Sequence, residues 1–342
     1  MSSVLITGSH GLIGSECVSF FTDKFDEVIG VDNDMRRYFF GDSASTHDVG
    51  KRLCDQYGNY KPFSVDVRFF NSLEFLFKSL KDVKLIIHTA AQPSHDWATS
   101  EPITDWTVNA TGTMNMLELT RQYFHDAVFI FTSTNKVYGD WPNKILYEEL
   151  EKRYETHLDG VDELMDIDDT MHSVFGASKV AGDIMCQEYG KYFGMKTGIF
   201  RGGCLTGANH KGVRQHGFLS YLVKCAMTGE KYIIEGYSGK QVRDNIHAYD
   251  LVSAFYEFYK NPKKGEVYNI GGGRHSNCSI LEAIDLIKEI TGKELNYTIS
   301  DQVRAGDHRW YISNVSKFKK DFPDWDYKYS LTDIISQIAN QY

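Results

Sequence analysis

The sequence predicts an α/β chain built on a parallel sheet with helices on both faces. Short, almost continuously apolar runs recur at residues 4–7, 27–31, 62–65, 84–88, 127–132 and 196–200. Helix-like patterns fill intervals between them at 12–22, 73–80, 103–124 and 175–193. Strands buried on both faces lose the apolar–polar alternation of a half-exposed sheet. Their regular exchange with helices marks parallel crossovers.

The first run closes on Gly8-x-x-Gly11-x-x-Gly14, which opens the first helix. Glycines there let a backbone approach a pyrophosphate, and the helix N-terminus favours its charge. Gly8, Gly11, Leu12, Ile13 and Gly14 are therefore candidate dinucleotide contacts, and the sheet is predicted to be a Rossmann-type, doubly wound one. Asp32 ends the second run, followed by Asn33. A carboxylate there accepts from ribose hydroxyls and repels a 2′-phosphate, favouring NAD over NADP; Arg36 is the nearby group that would accommodate that phosphate. Asp66 and Val67, after the third run, are placed to meet an adenine. Thr89, Ala90, Ala91 and Gln92 close the fourth with mostly small residues that let a cofactor lie close. Asn109 is a polar residue inside a helical pattern, either a cofactor contact or a satisfied core amide. Thr132 closes the fifth run.

After about residue 201 the rhythm changes to short strands (232–234, 267–270) mixed with helices (216–227, 280–291). Residues 1–201 are expected to form the nucleotide-binding domain, with an exposed acidic insertion at 143–170. Residues 202–342 are expected to form a smaller mixed α/β substrate lobe, interleaved with the first.

The chain has 342 residues, 42% hydrophobic and 24% charged, with a net charge of -9. That balance disfavours a nucleic-acid partner, which needs a basic footprint. No apolar run approaches the ~20 residues of a membrane span. The N-terminus enters a strand at once and lacks a basic flank, so no signal peptide is expected. Six cysteines without a Cys-x-x-Cys read as reduced thiols, and the expected location is the cytoplasm. No metal site is expected.

These residues together resemble the extended short-chain dehydrogenase/reductase family, the NAD-dependent epimerases and dehydratases of nucleotide sugars. Ser133-Thr134-Asn135-Lys136-Val137-Tyr138-Gly139 matches the block carrying the catalytic hydroxyl. Gly239-Lys240-Gln241-Val242-Arg243-Asp244 and Arg304-Ala305-Gly306-Asp307 look like its nucleotide-binding segments. The dehydratases carry an Asp-Glu pair where Asn135 and Lys136 stand, and decarboxylating relatives usually a Glu in the second place. The chain is most similar to the CDP-paratose (tyvelose) 2-epimerase branch. The resemblance implies a nucleotide-diphosphate sugar as substrate and a homodimer packed through helices 103–124 and 175–193. It also implies transient oxidation of a sugar carbon by NAD and return of hydride to the other face. Thr134 would hydrogen-bond the reacting oxygen, and Lys179 would hold the nicotinamide ribose. Arg243 and Arg304 would meet the sugar's diphosphate or nucleoside. His95, Asn135, Lys136, Cys204, Asn209 and Asp307 complete the implied substrate set.

One position breaks the family pattern. A Tyr is expected four residues before Lys179, and Phe175 stands there. A benzyl ring neither gives nor takes a proton, and such assistance is typically worth ~10²–10⁴-fold in rate. Three readings stay open. Another group transfers the proton (Lys179, His95, His172, Tyr138 or Cys204); the Phe is an engineered replacement; or the protein binds cofactor and sugar without turnover. Cys204, where the family often has Asn, is a second departure.

Overall fold

The computed structural model describes residues 2–214, 216–302 and 306–342. The chain divides into two compact units, 1–134 with 174–200 and 252–268, and 135–173 with 201–251 and 269–342. Segment 143–170 thus groups with the second unit, and 252–268 with the first.

The first unit carries a seven-stranded sheet of β1 (Ser3–Thr7), β2 (Glu27–Val31), β3 (Tyr60–Phe63), β4 (Val83–His88), β5 (Val128–Thr134), β6 (Lys196–Gly202) and β7 (Glu266–Ile270). Their order is β7-β6-β5-β4-β1-β2-β3. The pairs β1–β2, β1–β4, β2–β3 and β4–β5 are parallel. The chain moves one way from β1 to β2 and β3, and the other way to β4 and β5. That reversal opens a crevice at the carboxyl ends of β1 and β4, the usual ligand position of such sheets. Leu5, Ile29, Ile86, Phe129 and Ile199 on the strands pack with Leu73, Phe77, Met116 and Cys186 of the covering helices into one core.

Two expectations change here. Residues 267–270 were assigned to the second lobe, but β7 forms the edge of the first sheet beside β6. Helix Ala248–Lys260, whose residues from Val252 on belong to the first unit, carries the chain back there. The helix at 103–124 is interrupted: Pro102–Trp106 and Gly112–Tyr123 flank a π-helical turn at Thr107–Thr111. Such wide turns concentrate at functional sites, and this one holds Asn109.

In the second unit, helices Phe218–Thr228, Ile280–Thr291 and Leu331–Ala339 pack around Leu222, Ile234, Ile287 and Ile335. Strand Val242–His247 pairs with Asn277–Ser279, Trp310–Tyr311 and Cys204–Thr206. The acidic segment is tied down by charge: Arg153 reaches Glu282 and Asn277, and Arg274 bonds Glu155.

Candidate active site

The turn after β1 is shaped by what its glycines exclude. Gly8 has φ +67°, and its N–H donates to the Val31 carbonyl at 2.7 Å. A Cβ on Gly8 would sit 2.8 Å from the Ala90 nitrogen, and one on Gly14 only 2.0 Å from the Gly8 carbonyl oxygen. Those two glycines serve close packing of turn, β4 and helix. Gly11 differs: its Cβ would meet only the Gly8 oxygen, at 3.3 Å, and otherwise enter open space. It is the N-cap of helix Leu12–Phe21 and no side chain caps that end, so Leu12 and Ile13 begin a helix whose first N–H groups lack a side-chain acceptor. Such an end favours negative charge.

Asp32 accepts from the His10 N–H (2.9 Å) and the Asp34 N–H (2.8 Å), one bond on each oxygen. A carboxylate has about four acceptor positions, so capacity remains for two ribose hydroxyls. The Asn33 carboxamide oxygen accepts from Met35 N–H at 3.3 Å. Arg36 lies over the Phe40 ring at 5.0 Å, and burial lowers its pKa to about 10. Asp66 is engaged by Arg68, which donates to both carboxylate oxygens at 2.7–3.1 Å. The Val67 carbonyl is held by the Asn115 amide at 2.9 Å.

At the end of β4, the Thr89 hydroxyl donates to the Thr7 carbonyl (2.7 Å), and Ala90 N–H donates to the Thr7 hydroxyl (3.3 Å). Asn109 is a hub. Its oxygen accepts from Gln92 N–H (2.9 Å), and its amide donates to Gln92 O (3.0 Å), Asp105 Oδ1 (3.1 Å) and Ser178 Oγ (3.1 Å). With 1% exposure, it is a satisfied core amide that fixes the segment around it. Burial raises the neighbouring Asp105 carboxyl to about 6.

Lys179 is buried, donates from Nζ to the Thr132 carbonyl at 2.8 Å, and lies 4.2 Å above the Phe131 ring. Burial lowers its pKa to about 8. The Thr132 hydroxyl is buried without a protein partner. His88 sits between the hydroxyls of Thr7 (2.7 Å) and Thr113 (3.1 Å), and burial, then the Lys179 charge, depress it to about 3. Thr134 is the half-buried last residue of β5. Phe175 lies one helical turn before Lys179 on helix Ser173–Lys191. Its ring meets the His95 imidazole edge-on, centroids 4.8 Å apart.

The second unit gathers a charged cluster from distant segments. Lys136 donates to the Gly306 carbonyl at 2.8 Å, and burial lowers it to about 8. Arg243 pairs with Asp307 and donates to its own neighbour's carbonyl, Val242 O, at 2.7 Å. Burial alone would raise Asp307, but Arg243 and Lys136 hold it below the usual carboxylate range. Burial pushes the Cys204 thiol up to about 12. Asn135 is buried at the start of a 3₁₀ turn, Asn209 is half-buried, and Arg304 lies outside the described residues.

Residues 4–271 match the NAD dependent epimerase/dehydratase family. The chain belongs to this family. Relatives include CDP-paratose 2-epimerase of Salmonella typhi, 31% identical and aligned over 98% of this chain and 97% of the relative. A putative UDP-glucose 4-epimerase of Methanocaldococcus jannaschii is 25% identical over the same shares. UDP-glucose 4-epimerase from Thermotoga maritima, solved with UDP-glucose, superposes with a TM-score of 0.80 at 25% identity, covering 99% of this chain and 97% of that one. The Bifidobacterium longum UDP-glucose 4-epimerase, solved with NAD+ and UDP, gives 0.81 at 23% identity over the same shares.

NAD is thus the family's cofactor, and the first unit fits it: open space at Gly11, an uncapped helix end, acceptor capacity on Asp32, and an unpartnered Thr132 hydroxyl. For an epimerase/dehydratase family member, Phe175 stays the departure, and the structure sorts the groups that would replace a Tyr hydroxyl. Tyr138 is fully buried, bonded to Asn269 Oδ1 (2.7 Å) and Arg201 (3.1 Å), and raised to about 12 by burial. His172 is bonded to the Val137 carbonyl at 2.9 Å. Cys204 is held as a thiol, a poor base at neutral pH. Sequence reasoning missed Asp105, Asn115 and Ser178, which hold the nominated residues in place. Polar residues among apolar ones on a helix were their only signal.

Proposed function

We propose that the protein is an NAD-dependent epimerase of nucleotide-diphosphate sugars, taking a CDP-hexose foremost. One observation carries the substrate class. Lys136 and Arg243 bring an ammonium and a guanidinium to one largely buried site beside Asp307, with Asp140 the other acid acting on Lys136, and two such donors side by side suit the oxygens of a diphosphate. Bound NAD+ supplies the two-electron chemistry that oxidises one sugar carbinol to a ketone and reduces it again.

The chain's own residues bind, orient and move protons. Gly8, Gly11, Leu12, Ile13 and Gly14 hold the dinucleotide diphosphate; Asp32 takes the adenosine ribose, with Asn33 and Arg36 beside it. Asp66 and Val67 border the adenine. Thr89, Ala90, Ala91, Gln92 and Thr132 line the nicotinamide side, and Asn109 positions them. The Lys179 ammonium bonds the nicotinamide ribose and adds positive charge beside the reacting oxygen, which Thr134 hydrogen-bonds. Asn135, Cys204, Asn209 and His95 contact the sugar, and Arg243 meets the nucleotide. A homodimer is part of this reading, supported by Ile103, Trp106, Met114 and Ile184, exposed on the helices expected to pair. So is a cytoplasmic location; among the described residues, no helix is long and apolar enough to cross a membrane.

Incubating the purified protein with NAD+ and a panel of CDP- and UDP-hexoses in D₂O, followed by NMR, tests the proposal. The expected product is an epimer whose inverted carbon carries no solvent deuterium. Deuterium at that carbon overturns transient oxidation there. Phe175 favours a second reading, a sugar-nucleotide-binding protein without turnover; tight binding with no epimer from any member of the panel would establish it.

A further inference from the structure

We infer that His95 is the proton-transfer group of this site, standing in for the hydroxyl that Phe175 lacks. The inference rests on the epimerase reading and names the residue that makes it workable. The two rings are in direct edge-to-face contact at 4.8 Å, with planes 63° apart. The imidazole therefore lies against the ring whose para position would carry the missing oxygen. Imidazole is also the side chain whose ordinary titration lies closest to neutral pH, which suits a group that must both take and return a proton.

The segment bearing His95 is fixed by the same amide that fixes Phe175. Asn109 clamps Gln92 through two bonds, and Gln92 clamps Ser94 in turn, its amide donating to Ser94 O and its oxygen accepting from Ser94 N–H, both at 3.0 Å. Ser94 caps the helix His95–Ser100 by accepting from Trp97 N–H. On the other side, Asn109 donates to Ser178 Oγ, which donates to the Phe175 carbonyl at 2.9 Å. One saturated side chain therefore sets the spacing of the two rings, the preorganisation a proton relay needs. Asn109 is a positioning residue.

The step balances. The substrate O–H bond breaks and its proton passes to a neutral His95 nitrogen. The carbinol C–H bond breaks, its hydrogen leaving with the electron pair as a hydride that the oxidised nicotinamide would accept, and a C=O bond forms. On return, the imidazolium gives the proton back to the oxygen as the carbon is reduced from its other face.

A double-mutant cycle tests this with H95N, F175Y and the pair. H95N should lower kcat ~10²–10⁴-fold on the hexose that the panel identifies, with KM little changed and bound NAD+ retained. Added to F175Y, H95N should cost less than about tenfold, because the phenol supplies the proton path. A kcat for H95N within threefold of the parent, or a pair as damaged as the product of the single changes, overturns the inference. A second readout needs no substrate. The phenol introduced by F175Y, followed by ultraviolet titration of the holoenzyme, should shift its midpoint when H95N is added, since the imidazole faces it. An unchanged midpoint overturns the inference. Absence of turnover by the parent with the midpoint shifted would overturn the epimerase reading alone.

Discussion

The two units place chemistry by opposite means. In the first, the groups proposed to face a ligand are largely backbone, set where strands of a parallel sheet end: an uncapped helix, a turn folded over glycines, and side chains such as Asp32 and Thr89 that tie strand ends together. In the second, they are charged side chains, Lys136, Arg243 and Asp307, drawn together from three segments, two of them 64 residues apart and the third farther off, and taken partly out of water. A backbone site costs little desolvation and depends on the absence of side-chain atoms. A buried charge cluster depends on every member being present. The first unit should therefore fail by crowding and the second by subtraction.

The sharpest way to break that contrast is to crowd the turn. Gly14→Val places carbon where the Gly8 oxygen lies 2.0 Å away, and backbone cannot yield as a flexible side chain would. We expect a loss of about 4 kcal/mol or more in unfolding free energy, in the range reserved for core overpacking and backbone conflict. Gly11→Ala is the control, because its Cβ would meet a single atom, the Gly8 oxygen at 3.3 Å, and that contact can be relieved by a small shift. It should leave the melting temperature nearly unchanged while weakening NAD+ binding at least tenfold by calorimetry. If both variants fold and bind alike, the glycines are not shaping a cofactor site.

Subtraction from the second unit comes next. Asp307→Asn removes the carboxylate that pairs with Arg243 and leaves that guanidinium beside Lys136, and breaking a buried pair typically costs about 3–5 kcal/mol. Asp307 keeps partial exposure, so the lower end is expected in urea unfolding. Arg243→Met should cost less stability, because it removes a charge that then needs no partner, yet raise KM for the sugar nucleotide more. A larger stability loss from Arg243→Met would mean that the arginine is structural first.

How legible each unit was follows from the same contrast. The glycine turn, Asp32 and the strands around them were readable because their signals are local: a motif, a short distance along the chain, an apolar run. The edge strand β7 was misplaced because 267–270 is an apolar run wherever it pairs, and only the path of helix Ala248–Lys260 decides its sheet. The π turn at Thr107–Thr111 was hidden inside a helical period, which one extra residue per turn barely disturbs. The contact of His95 with Phe175 joins residues 80 apart in sequence, and no local pattern announces it. The same holds for the company that Lys136 keeps.

Acid should act on the first unit through His88. Its folded pKa, about 3, lies below the ~6.5 of an unfolded histidine. Between those values the unfolded chain binds more protons, so stability falls as pH drops from about 6.5 toward 3. His88→Gln, which keeps donor and acceptor between Thr7 and Thr113, should flatten the decline in melting temperature from pH 6.5 to 4.5. An identical decline in the variant would assign acid sensitivity to other groups.

The smallest effect tests whether local signals work as well in the second unit as in the first. Ser330 caps helix Leu331–Ala339 in a reciprocal box: its hydroxyl accepts from Asp333 N–H at 3.2 Å, and its own N–H donates to the Asp333 carboxylate at 2.8 Å. Ser330→Ala removes the hydroxyl's bond from Asp333 N–H and its own donation to the Asp333 carboxylate (2.6 Å), and should cost about 1 kcal/mol, the ordinary worth of an N-cap. The charge cluster should be untouched, so nucleotide-sugar binding stays as before while the urea midpoint falls. Ile334, Ile335 and Ile338 of this helix sit in the second core, and their burial holds it in place whether or not its first turn is capped. A loss well above 2 kcal/mol would show that the cap also fixes the approach of residues 322–330, where Asp250 accepts from Lys328 and Tyr329 N–H. In that case even a four-residue signal in this unit would draw its strength from contacts remote in sequence, as the charge cluster does.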